Sequence, residues 1–89
     1  MTDSPYNAIE TAILDGVDAR RRGATICPSE VARDLWSANE WRAHMEEVRA
    51  AAARLIDAGE IVATQGGRSV DIRSARGPIR LGRPTEGGP

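Results

Sequence analysis

The chain has 89 residues and a formal net charge of −1, with 14 alanines, two tryptophans, one tyrosine and no phenylalanine. That length fits one domain near the lower end of what a single core stabilises, and it leaves no room for an internal cavity of cofactor size, about 300 Å³ or more. No apolar run approaches the ~18 residues that cross a bilayer, the start of the chain lacks a signal-peptide pattern, and one cysteine cannot form an internal disulfide, which together predict a cytoplasmic domain with no cofactor and no membrane contact.

Charge is unevenly distributed. Residues 1–60 hold 7 arginines against 11 acids, whereas residues 61–89 hold 5 arginines against Asp71 and Glu86. All 12 basic side chains are arginine. A GC-rich genome accounts for that choice as readily as function does, but each cation still presents a planar fork suited to phosphate or carboxylate.

The first predicted helix starts at Ser4-Pro5, a hydroxyl N-cap followed by proline. It carries Ile9, Ile13 and Val17 on one stripe and closes at Arg20, Arg21, Arg22 and Gly23. The triple arginine suits a nucleic-acid patch or simple compensation of the helix dipole. Thr25-Ile26 reads as a short strand. Cys27-Pro28-Ser29-Glu30 opens a second helix with Val31 and Leu35 facing inward, and a polar turn follows in which Ser37 or Asn39 caps the third helix. That helix is expected from about Glu40 to Ala58, with Trp41, Met45, Val48, Ala52 and Leu55 buried, and Arg42, Glu46, Arg49 and Ala53 on its outer face. Gly59 offers a left-handed stop. Alternation over 61–65 predicts a strand, Gln65-Gly66-Gly67-Arg68 a turn, Asp71 a cap for one helical turn through Ala75, and Ile79 and Leu81 the inward positions of a returning strand. The predicted fold class is α+β: a winged helix-turn-helix of three helices and a small antiparallel β-sheet over 5–82, with residues 1–4 and 83–89 as disordered tails.

A set of motifs in this order carries a resemblance: Ile26-Cys27-Pro28-Ser29-Glu30-Val31-Ala32-Arg33, Trp41-Arg42, Met45 with Val48-Arg49, Gly59-Glu60-Ile61, Thr64-Gln65-Gly66, Val70-Asp71 and Arg76-Gly77-Pro78-Ile79-Arg80-Leu81. Over roughly residues 9–82 the chain resembles a bacterial family of short proteins classed as a domain of unknown function. The resemblance implies a winged-helix-like fold and nothing about catalysis. In that family proline commonly follows the aspartate of the Val-Asp pair; this chain has Ile72 there.

Two function classes lead, with a remote third. In the first, the chain is a non-enzymatic module that binds DNA or RNA, weakly or within an assembly. Arg42 and Arg49 would lie on the third helix, and Arg68, Arg73, Arg76 and Arg80 would serve phosphates from the wing. The +3 balance of the C-terminal part assigns most of the affinity to the wing. Against a reading helix, Glu40, Glu46, Glu47 and Asp57 outnumber its three arginines, and Glu46 is spaced to pair with Arg42 and Arg49. In the second, the same scaffold binds an acidic protein partner. For Arg76-Gly77-Pro78-Ile79-Arg80 the alternatives are an anion-binding turn or a hairpin return whose arginines pair with the acidic N-terminal part. Trp36 and Trp41 suit base stacking or cover for the core between two helices. A remote third class is a thiol redox sensor at Cys27, beside a helix start that favours thiolate; the competing expectation is a mostly buried, inert thiol. His44 is the sole histidine, so Cys27 and His44 cannot complete a tetrahedral metal site, and no metal is expected.

Overall fold

The computed structural model describes residues 6–19 and 24–84. Helix α1 spans Ala8–Asp18. Its start is a reciprocal cap: the Asn7 side chain accepts from the Glu10 amide at 2.8 Å, and the Glu10 carboxylate accepts from the Asn7 amide at 2.9 Å. That box satisfies two of the amides a helix start leaves orphaned and fixes the start of α1 at Ala8. Ser4-Pro5 and the run Arg20, Arg21, Arg22 and Gly23 lie outside the described residues.

Helix α2 (Pro28–Leu35) begins as expected, with Pro28 in the first turn, and Glu30 accepts from the Cys27 amide at 2.9 Å. Val31 and Ala32 are buried, whereas Leu35 is 39% exposed. The inward placement expected for Leu35 is therefore wrong: the chain leaves the helix at Trp36 in an extended conformation, before that position meets α3.

The third helix is not continuous. A 3-10 turn, Trp41–His44, precedes α3, Met45–Asp57. Ser37 and Asn39 do not cap either start. The Ser37 carbonyl accepts from the amides of Glu40 and Trp41, closing the turn through backbone. Val48, Ala52 and Leu55 are buried as expected and Trp41 and Met45 half-buried, but Ala53 is buried too, and Arg49 is half-buried instead of outward-facing. Both corrections have one cause, the segment 71–75 laid across that side of the helix. The three consecutive alanines 51–53, nearly devoid of exposed surface, present no bulk and let the helix pack on two sides.

Gly59 (φ +79°) ends α3. Its amide bonds the Ile56 carbonyl and that of Glu60 the Leu55 carbonyl, the paired closure that requires a left-handed residue.

Three antiparallel strands follow: β1 (Val62–Gln65), β2 (Arg68–Ser69) and β3 (Arg80–Gly82), in spatial order β2-β1-β3. Ala63 pairs with Leu81. The expected 25–26 strand reduces to one bridge in which Ile26 and Leu81 exchange both backbone bonds, at 2.8 and 2.7 Å. Ile13, Leu55, Ile61, Ile79, Leu81 and Val48 are the large side chains at the centre of the core, each at most 1% exposed. The order of helices and hairpin is compatible with a winged helix-turn-helix. No helix among the described residues is long and apolar enough to cross a membrane.

Candidate nucleic-acid interface

The segment 71–75 decides what the arginines do. Asp71 accepts from the Arg73 amide at 3.0 Å through its side chain, while its carbonyl accepts from Ser74 and Ala75. One turn forms with Ile72 at the position where the resemblance led to an expectation of proline. Ile72 stabilises it differently, by burying its side chain to 5% exposure in the core.

Two arginines fasten this turn to α3. Arg49 donates to the carbonyls of Ile72 and Ala75 at 3.3 and 3.1 Å, and Arg73 holds Asp57 through both terminal nitrogens at 3.2 and 2.7 Å. The Asp57 carboxyl is held below its ordinary pKa by the Arg73 bond, and the Arg73 guanidinium is raised in return. A shallow groove of about 440 Å³ remains between helix and turn, lined by Glu46, Arg49, Ala50, Ala53, Arg54, Ile72 and Arg73. Arg49 thus turns to backbone carbonyls instead of pairing with Glu46.

The other candidates divide cleanly. Arg80 donates to the Thr25 hydroxyl and carbonyl at 3.0 and 2.9 Å and lies 3.9 Å from Glu30, so it joins β3 to the start of α2. Arg42 stacks on the Trp41 ring at 4.6 Å, with Arg33 at 4.7 Å from the same ring. Arg68 and Arg76 are exposed, and their side chains make no hydrogen bond, ion pair or ring contact among the described residues.

Gln65 links the two backbone segments that carry them. It is the cross-strand partner of Arg68, so the two side chains share a face. On that face the Gln65 amide nitrogen donates to the carbonyls of Arg76 and Pro78 at 2.5 and 3.0 Å. Between Gln65 and Arg68 the tip is Gly66-Gly67, both with positive φ, +60° and +84°. That is the requirement of a two-residue turn matched to strand twist. The sequence did hold a signal for Gln65: it has the inward parity of Ile61 and Ala63, where a polar side chain needs partners.

Sequence reasoning missed three further constellations. Arg83, assigned above to the C-terminal tail, holds Asp18 through two bonds of 2.8 Å and Glu60 through its carboxylate at 2.8 Å and its carbonyl at 3.1 Å; Tyr6 donates to Glu60 at 2.9 Å. Arg54 bonds the buried Glu10 at 2.6 Å. Trp36 stacks on His44 with ring centroids 4.0 Å apart, and His44 pairs with Glu47. Both tryptophans are half-buried. Cys27 is half-buried, not mostly buried as expected, because it sits at the rim where α2 starts; its sulfur accepts from the Ser29 hydroxyl at 3.1 Å.

These ion pairs predict acid lability. Glu10 is lowered chiefly by the Arg54 bond, Asp18 by Arg83, Asp57 by Arg73, and Glu60 by the Tyr6 hydroxyl and then Arg83. A carboxyl whose folded pKa is depressed stabilises the fold fully above its ordinary range and loses that contribution as pH falls through the folded value. The thermal midpoint is expected to stay level from neutral pH to about pH 5 and to fall below it. A midpoint that rises on acidification would contradict these pairings.

With the geometry in place, one comparison decides the family. A family model described as "Protein of unknown function (DUF3253)" matches residues 6–84. The chain belongs to this family. The stretch shared with DUF3253 proteins runs from Tyr6 past Arg83, so it takes in both ends of the Tyr6–Glu60–Arg83–Asp18 network. No curated protein matches the chain. Among the described residues, no cluster of three or more His, Cys, Asp or Glu side chains is placed to hold a metal.

Proposed function

We propose that this chain is a non-enzymatic module that binds nucleic acid through the tip of its hairpin, with Arg68 and Arg76 as the phosphate-contacting cations. The observation that carries the reading is the pairing state of the arginines. Arg49, Arg73 and Arg80 are engaged within the fold, whereas Arg68 and Arg76 have no partner among the described residues and lie on neighbouring segments whose backbones Gln65 ties together. Unneutralised guanidinia on a fixed turn suit phosphate, because little ordering is required and each contact releases a condensed counterion. Arg42, beside Arg33 on Trp41, supplies a secondary cation at most.

A second reading, a protein-interaction module for an acidic partner, draws on another surface. Leu35 is the exposed large apolar side chain among the described residues, next in sequence to the half-buried Trp36, and Arg33 of the same helix shares the Trp41 ring with Arg42. Tryptophan and arginine are the residues most enriched at binding hot spots. Titration of a labelled random duplex at several salt concentrations separates the two. Two phosphate contacts give a slope of log K against log salt of about −1.8; absence of salt-sensitive binding to any nucleic acid at low ionic strength overturns the first reading in favour of the second.

A further inference from the structure

We infer that the hairpin tip engages duplex DNA from the minor groove and favours the narrow groove of A·T-rich sequence, while α3 stays out of the major groove. The inference rests on the nucleic-acid reading above and specifies which side of which duplex is touched.

The first support is the covering of α3. A helix that reads the major groove must present a free row of side chains to base edges. Here the turn at 71–75 lies over one side of that helix, with Ile72 buried and Arg49 and Arg73 holding the turn down. Within the first two turns of α3 the exposed residues are Glu46, Glu47 and Ala50, a row that is negative or neutral and ill-matched to a polyanion, and the exposed Arg42 just before it is stacked on Trp41.

The second support is the shape of the tip. A Cβ built on Gly66 or Gly67 would meet nothing within 4 Å, so the turn projects into open space and carries no side chain of its own. Its backbone can approach the phosphate rim closely. The planar guanidinia of Arg68 and Arg76 are thin enough to enter a groove about 6 Å wide. Narrow A·T minor grooves concentrate negative potential and attract inserted arginine. An RNA duplex offers a wide, shallow minor groove instead, which this narrow tip would not fill.

The test uses the full chain and three labelled duplexes of equal length: A-tract DNA, alternating G·C DNA and RNA. The A-tract duplex is expected to bind about tenfold more tightly than either of the others, and netropsin, which occupies the A·T minor groove, is expected to displace the protein. A charge-preserving double variant probes the mechanism without risk to the fold. Arg68→Lys with Arg76→Lys keeps both charges on exposed side chains but replaces the thin, weakly hydrated fork with a strongly hydrated ammonium. It is expected to retain the salt slope and lose the A-tract preference. Equal, salt-sensitive affinity for all three duplexes, or binding indifferent to netropsin, overturns the minor-groove inference while leaving the nucleic-acid reading intact. No salt-sensitive binding to any duplex overturns both.

Discussion

Leu81→Ala is expected to destabilise the domain by about 3–5 kcal/mol, the upper part of the range for a fully buried leucine. Leu81 has no exposed surface, pairs with Ala63 in β1, and exchanges both backbone bonds with Ile26. Its side chain therefore sits where the sheet, the 24–27 segment and the helices converge. The neighbours cannot collapse into the space it leaves, because two backbones are fixed on either side of it. In a chain with so few large core residues, total stability is expected near the low end of about 5–15 kcal/mol, so one such cavity removes most of it. Urea unfolding followed by circular dichroism measures the loss. Leu35→Ala is the control: at 39% exposure it is expected to change stability by no more than about 0.5 kcal/mol. Equal costs at the two positions would mean that the core has been wrongly assigned.

Replacing Arg68 and Arg76 together with alanine is expected to leave the thermal midpoint nearly unchanged and to flatten the salt slope of nucleic-acid binding by roughly 2. Both halves of that expectation follow from the same fact. Neither guanidinium has a partner among the described residues, so their removal costs the fold nothing but removes two cations from the contact surface. Arg80 behaves differently. It joins β3 to Thr25 and approaches Glu30, so Arg80→Ala mixes a stability loss with any loss of binding. Arg73→Ala and Arg49→Ala would release the 71–75 turn from α3 before they told anything about a ligand. An unchanged salt slope in the Arg68/Arg76 double variant would show that the hairpin tip is not the contact.

The fold was largely legible because local signals agreed with the global arrangement. Pro28 opened α2, Gly59 closed α3, Gly66-Gly67 made the hairpin turn, and the parity of Ile61, Ala63, Ile79 and Leu81 set the inward face. What failed did so for tertiary reasons. A helical wheel treats α3 as having one buried side, whereas the turn at 71–75 covers a second, which no periodicity within the helix encodes; Ala53 and Arg49 were misplaced for that reason. Asn7-Glu10 is a visible capping box, yet Ser4-Pro5 offered a competing start of equal form. Arg83 sits among glycine and proline at a chain end, where composition reads as a tail, and its partners Asp18 and Glu60 lie far away in sequence.

The candidate site was legible as a region but not as a set. Sequence alone set the wing arginines Arg68, Arg73, Arg76 and Arg80 above Arg42 and Arg49 on the third helix, but did not separate the four wing cations from one another. Their difference lies in hydrogen bonds to carbonyls and acids 16–55 residues apart in sequence and in the reach of Gln65 across to Arg76 and Pro78. The segregation of positive charge to residues 61–89 pointed at the hairpin; only the pairing state singles out Arg68 and Arg76.

The most direct measurement of the central claim is residue-resolved. In nitrogen-detected NMR of the labelled protein titrated with an A-tract duplex, the Nε–Hε signals of Arg68 and Arg76 and the amides of Gly66 and Gly67 are expected to shift first and furthest, with the amides along Met45–Asp57 nearly still. Shifts concentrated in that helix, with the arginine and glycine signals of the hairpin unmoved, would contradict the account.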